Sequence, residues 1–140
     1  MRHDPSLPLQ KVIRARLVAS PDVLALIPAG NIVDTSGRPE IVPSILIGEG
    51  QTVLRRFNST SYATIHGWIQ EPGLLRSKQL GSAIVGALSF DAEIERAVLH
   101  LDGFDCHDLA VVNLQYLRDV QASYSHCIVT VAGIMKERAA

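Results

Sequence analysis

The sequence is short of the residue types that most chemistry needs. Only two cysteines, Cys106 and Cys127, occur in 140 residues, too few for a disulfide framework. A chain of this length buries its own core without cross-links, so both are expected as free, partly buried thiols. Charge of one sign is missing too. The formal net charge is −1, which leaves no basic field to attract nucleic acid. Long apolar runs are absent. The uncharged stretches 79–90 and 122–135 carry polar residues and fall short of the roughly 18–20 apolar residues that span a bilayer. The N-terminal MRHDPSLPLQ has no apolar core of the signal-peptide type, so the chain is expected to be cytoplasmic when made. Nor is there a GxxxxGK[ST], a GxGxxG, an HExxH or a GxSxG motif. Gly48-Glu49-Gly50 reads as a strand-end turn, because no helix follows whose N-terminal amides would hold an anion.

What is present is a globular composition. Hydrophobic residues make up 47% and charged residues 19%, which excludes a disordered chain and suits a single domain over residues 1–140. Residues 1–7 read as a loose tail. Leu9, Val12, Ile13 and Leu17 recur at helical spacing, predicting a short amphipathic helix over 8–19. Ser20 can cap the next turn, with Pro21 at its first position and Asp22 favouring the positive end of the helix dipole. Pro28-Ala29-Gly30 ends that second short helix. Residues 31–34 suit a short strand, and 35–43, with Ser36-Gly37 and two prolines, a loop. Residues 44–48 (SILIG) form a compact β run. Residues 51–61, with Arg55, Arg56, Asn58 and Ser59, suit two strand ends and a mobile tip.

Residues 62–70 are predicted as a central strand, with Ala63, Ile65, Gly67 and Ile69 on one face and Tyr62, Thr64, His66 and Trp68 on the other. Glu71-Pro72-Gly73 breaks it. Residues 74–89 are the main helix, with Ser77, Leu80, Gly81, Ile84, Val85 and Leu88 on one stripe. Its interior glycines cost about 1 kcal/mol each in propensity, which points to close approach by a sheet or helix. Residues 91–99 are expected to add helical turns, and Leu101-Asp102-Gly103 a turn. Residues 109–122 and 126–136 form a closing antiparallel hairpin. The order α, α, β, β, β, α, β, β predicts an α+β fold: a mostly antiparallel sheet with one long helix packed across one face and two short N-terminal helices.

Two constellations invite chemistry. Cys106-His107 and His126-Cys127 hold the ligand types of a zinc site, but neighbours on a strand point to opposite faces, and structural zinc ligands are spaced further apart. His100, Asp102, Asp105, Cys106, His107 and Asp108 cluster in a loop-like stretch with the residue types of a Cys–His nucleophile pair. Solvated loops carry the same residues for turn chemistry alone. His66, beside Trp68 in an apolar strand, reads as a packed histidine with a satisfied ring N–H. Arg55 and Arg56 are candidates for a partner's carboxylates or, less readily at this net charge, DNA phosphates, set against two solvated loop arginines. No catalytic, cofactor-binding or metal residue is assigned.

Three stretches in order resemble the tail-completion or tail-terminator family of small phage and prophage tail proteins, gene transfer agents included. They are LQKVIRARLVASPDVLALIPAGNIVD (9–34), VPSILIGEGQT (42–52) and ATIHGWIQEPGLLRSKQLGSAIVGAL (63–88); the closing HCIVTVAGIMKE also fits. The resemblance implies a non-enzymatic virion protein, assembled in the bacterial cytoplasm. It would form a homo-oligomeric, usually hexameric, ring at the head-proximal end of the tail. The ring would stop tube polymerisation and join the tail to the head. It implies a tail tube protein and a head–tail connector protein as partners, no cofactor, no membrane and no sequence-specific nucleic acid, although DNA can pass through the ring. Exposed sheet edges would be covered by neighbouring subunits, and the arms 34–43, 50–61 and 118–126 would reach subunits or tube. Other readings stay open: another head–tail connector or minor tail subunit, a small enzyme using the 102–108 stretch, or a small-molecule-binding regulatory domain with a deep apolar pocket.

Overall fold

The structure, a computed structural model, describes residues 3–34, 39–89 and 98–139. Helix α1 (Ser6–Val18) is followed by α2 (Pro21–Leu24), a 3-10 turn (Ala29–Asn31) and strand β1 (Ile32–Val33). Strands β2 (Ser44–Leu54) and β3 (Ser59–Gln70) form a hairpin, helix α3 (Leu75–Leu88) follows, and β4 (Leu99–Leu101), β5 (Phe104–Asp119) and β6 (Tyr124–Glu137) complete the chain. The six strands lie in the order β1-β2-β3-β6-β5-β4. Among the described residues only the β1–β2 pair is parallel, so the fold is α+β with a mostly antiparallel sheet, as its segregated strands and helices predict.

The helices begin and end for local reasons. The Asp4 carboxylate accepts from the Ser6 backbone N–H at 3.1 Å and the Ser6 hydroxyl at 2.5 Å, occupying an orphan donor of the first turn of α1. The tail expected over 1–7 is therefore helical from Ser6. Ser20 caps α2 through its hydroxyl, which accepts from the Val23 N–H at 3.3 Å. Leu9, Ile13 and Leu17 of α1 and Leu80, Ile84 and Leu88 of α3 share one buried cluster with Ile45, Ile65, Cys127, Val129 and Val131 of the sheet. Gly67 makes the closest approach: a Cβ there would stand 2.6 Å from both Cys127 Sγ and Leu80 Cδ2, so α3 seats on the sheet only where β3 has no side chain. The close approach expected of the helix is met here and at Gly81, where a Cβ would run into the Tyr116 ring.

Two expectations change. The stretch 99–108 is not a loop but β4, a tight turn and the start of β5. Gly103, at φ +80°, makes the turn, and Leu101, Phe104 and Cys106 point into the core. Asp and His on the outer positions hid that alternation. The helical turns expected over 91–99 fall mostly on residues outside those described, and Leu99 opens β4. Of the expected arms, 50–61 and 118–126 are mostly strand, and 50–61 has the two strand ends its sequence suggests. Residues 50–61 are two strand ends around a tip closed by Arg55 N–H donating to the Asn58 carbonyl at 2.9 Å. The β5–β6 turn is tied to the end of β3, where Glu71 N–H donates to the Ser123 carbonyl at 3.0 Å. Within 34–43, residues 35–38 lie outside those described.

Candidate assembly surfaces

Among the groups that suggested chemistry, the two cysteines, His100 and Asp105 hold structural positions. Cys106 and Cys127 are free and buried, and each has its adjacent histidine on the other face of the sheet, as strand geometry requires. Burial, with help from the Asp108 charge, pushes the Cys106 thiol up to about 11. Burial does the same to Cys127, up to about 11, against hydrogen bonds at Gly67 and Ser77. A nucleophilic cysteine needs the opposite shift. Asp105 is engaged by Arg138 at 2.8 Å and His100 at 2.7 Å, and these bonds hold its carboxyl below the usual range. Arg138 also donates to the carbonyls of Phe104 and Leu101, each at 2.7 Å. It staples the β4–β5 turn to the end of β6, so the 102–108 stretch is braced and its cysteine sits in the core.

His66 is packed as expected, but both ring nitrogens have partners. Nδ1 lies 2.7 Å from His126 Nε2, and Nε2 lies 2.6 Å from a Glu49 carboxylate oxygen. A β-bulge between Ile47 and Gly50 aims Glu49 at the ring. Gly48 leaves room, since a Cβ there would come within 3.2 Å of His66 Cδ2. His126 stacks on Trp68 with centroids 3.8 Å apart, and Tyr124 meets Trp68 edge-on at 6.1 Å. Burial, then the neighbouring His66, pushes His126 down to about 4. Partial burial opposes ionisation of Glu49, but hydrogen bonds from its own backbone and from His66 outweigh it and hold the carboxyl low. The sequence offered no signal for this cluster, because its members come from three strands and the bulge is invisible in the hydrophobic pattern.

Arg55 and Arg56 sit together at the β2–β3 tip, exposed, with the Arg56 guanidinium 5.2 Å from the Phe57 ring centre. Around them Leu54 and Phe57 are 61% and 80% exposed. Exposed apolar side chains also follow β5 and its turn at Val112, Leu114, Leu117 and Val120. Single exposed hydrophobics need no explanation. These gather on the two outer strands that the short β1 and β4 leave mostly uncovered, which is where a soluble monomer ordinarily places charge, proline or a covering element.

Among described residues, no helix is long and apolar enough to cross a membrane, and no group of three or more His, Cys, Asp or Glu is placed to hold a metal ion. No curated protein matches the sequence. Among solved structures, a chain from "Virion of native gene transfer agent (GTA) particle" is similar in fold, with a TM-score of 0.77 and 15% identity over 96% of this chain and 99% of that one. The model of the family "Tail completion protein gp17" matches residues 11–136, from the first turns of α1 to the last residues of β6. The chain therefore belongs to the tail completion protein gp17 family.

Proposed function

We propose that this protein is a structural subunit of a phage-like tail, in a phage, a prophage or a gene transfer agent, and not an enzyme. One domain over residues 1–140 packs its long helix across one sheet face and closes, with copies of itself, into a ring at the head-proximal end of the tail, six-fold by expectation. One face of the ring occupies the polymerisation surface of the last tube ring, which stops growth by steric exclusion. The other face offers a seat to the head–tail connector protein. DNA passes through the opening without sequence-specific contact. The family match over residues 11–136 carries this reading, and the likeness in fold to a chain of a gene transfer agent virion agrees with it. Strand edges uncovered among the described residues supply a physical reason for assembly, since unpaired N–H and C=O groups beside exposed apolar side chains call for a neighbour.

Native mass spectrometry over a concentration series tests the ring. A closed oligomer of defined number is the expected species, and a monomer at every concentration counts against it. Arg55 and Arg56 are assigned to the intersubunit or tube-facing surface. Reversing both charges should abolish assembly while leaving the melting temperature unchanged, and normal assembly by that double variant removes the assignment.

A further inference from the structure

Two strand edges are open over the same height of the sheet. β1 pairs with β2 only at Ile45 and Leu46, and β4 pairs with β5 only as far as Cys106. Among the described residues, no strand pairs with the outer edges of residues 47–54 and 107–114. Stepping across the ladders puts Val53, Thr60, Ile134 and His107 on one level, and Ile47, Ile65, Val129 and Leu114 on another. Residues 47–53 of β2 and 107–114 of β5 therefore occupy the same band on opposite margins of one sheet. Their directions also match. β2, β3, β6 and β5 are successive antiparallel neighbours, so β5 runs opposite to β2. Rotation about a ring axis preserves each copy's direction along that axis. The β5 edge of one copy thus meets the β2 edge of the next antiparallel, the more stable way for strands to pair.

We propose that these edges are the subunit junction: residues 107–114 of one copy pair with residues 47–54 of a second copy, so that one sheet continues from subunit to subunit. The proposal rests on the ring reading above. Three observations select a second copy as the occupant. The edges are coextensive and of opposite direction, which makes a head-to-tail contact that can be repeated and closed. Each carries exposed apolar residues for the other to cover, Val53 and Leu54 on β2, Val112 and Leu114 on β5. Their charges are complementary: β2 runs out into Arg55 and Arg56, and at that end β5 and its turn carry Asp102 and Asp108, while Asp105 is held by Arg138 and His100 of its own chain. Bulges interrupt both edges, between Ile47 and Gly50 on β2 and between His107 and Ala110 and between Val111 and Asn113 on β5. A bulged edge accepts few registers, so the pair excludes indiscriminate edge-to-edge partners.

Cysteine cross-linking of the assembled protein tests the junction. Gln51 and Ala110 are exposed and share a level through Tyr62 and Ala132. Within one chain they are three strand spacings apart, roughly 14 Å, beyond the reach of a disulfide, while Cys106 and Cys127 stay buried. The double variants Gln51→Cys/Ala110→Cys and Val53→Cys/Ala110→Cys, the second allowing a two-residue stagger, are oxidised and run on non-reducing gels. The expected result is a covalent ladder from at least one pair, ending at the ring number read by native mass spectrometry, with no dimer from the single variants. A dimer from a single variant means that an edge pairs with itself, which overturns the proposal. A ring that yields no ladder from either pair also overturns it and leaves the ring reading standing. Absence of any assembly in the unsubstituted protein removes both.

Discussion

Glu71 is the best single place to test how the sheet holds the helix. Leu74, which precedes α3, offers no side-chain cap. The orphan N–H groups of Arg76 and Ser77 instead donate to the two carboxylate oxygens of Glu71, each at 3.0 Å. Ser125 of β6 donates its hydroxyl to the same carboxylate at 2.8 Å. One side chain thus joins the end of β3, the start of α3 and the start of β6. A lost helix cap costs about 1 kcal/mol, and a hydrogen bond to a charged group contributes about 1.5–3 kcal/mol. Glu71→Ala should therefore lose about 2–4 kcal/mol, or about 6–12 °C in Tm at about 3 °C per kcal/mol for a chain of this size. Glu71→Gln keeps an acceptor but not the charge, and should lose about half as much. Burial opposes ionisation here, but the Ser77 and Arg76 amides and the Ser125 hydroxyl outweigh it, and the folded carboxyl titrates below its ordinary value. The stabilisation is therefore complete above the unfolded value of about 4.3 and is lost as pH falls through the lower folded value. Thermal denaturation of the three proteins at pH 7 and pH 3 measures this. A Glu71→Ala Tm within 2 °C of the original at pH 7, or a Glu71→Gln deficit equal at both pH values, refutes the reasoning.

Two interior glycines of α3 should behave oppositely. Gly86 has open space where a Cβ would go, so Gly86→Ala should stabilise by up to about 1 kcal/mol through helix propensity; Gly81→Ala drives a methyl into the Tyr116 ring and should destabilise by about 1–2 kcal/mol net, both read by urea unfolding. Cys106 and Cys127, buried and with thiol values pushed up to about 11, should resist a thiol-specific chromogenic reagent at pH 8 until denaturant is added; fast reaction of either in the native protein contradicts their placement. His126 titrates at about 4 in the fold against about 6.5 unfolded, so the unfolded chain binds the extra proton first and stability falls as pH drops from about 6.5 towards 4. His126→Phe keeps a ring against Trp68 and should flatten the stability profile over that window; an unchanged slope means that His126 does not titrate this way.

The parts of the fold that periodicity could reveal were those where one face is apolar and the other is not. The stripe from Ser77 to Leu88, the Ser20-Pro21 start and the alternation of residues 62–70 each state a local rule that the packing then obeys. The stretch 99–108 shows where that logic fails. Its inward residues, Leu101, Phe104 and Cys106, are as apolar as any strand requires, but Asp102, Asp105, His107 and Asp108 between them carry the composition of a solvated loop. A strand whose outer face meets water, with an Asp-Gly turn beside it, has no compositional difference from such a loop. What separates them is the long-range pairing with β6, which no local window contains. The Glu49–His66–His126 chain is invisible to a local window for the same reason, since each member is adjacent to the next only across strands.

The same lesson bears on the arginines. Read locally, Arg55 and Arg56 belong to a polar tip, and a tip suggests a finger that reaches outward. In the fold they follow an eleven-residue strand whose outer edge is unpaired among described residues from Ile47 onward, and Asp102 and Asp108 stand near the same height on the opposite margin. If that edge pairs with a second copy as proposed, charge at the tip forms the end of a longer contact made by backbone groups. Surface ion pairs contribute little by themselves, about 0–1 kcal/mol, so arginines alone would hold a ring weakly and lose it to salt. An assembly joined by strand pairing should instead persist at high ionic strength, with the arginines setting rate and register. Assembly measured in 50 mM and 1 M sodium chloride separates the two. A ring that survives the higher salt but forms more slowly supports backbone pairing with electrostatic guidance. A ring that dissolves in it places the binding energy in the charges and argues against the continuous sheet.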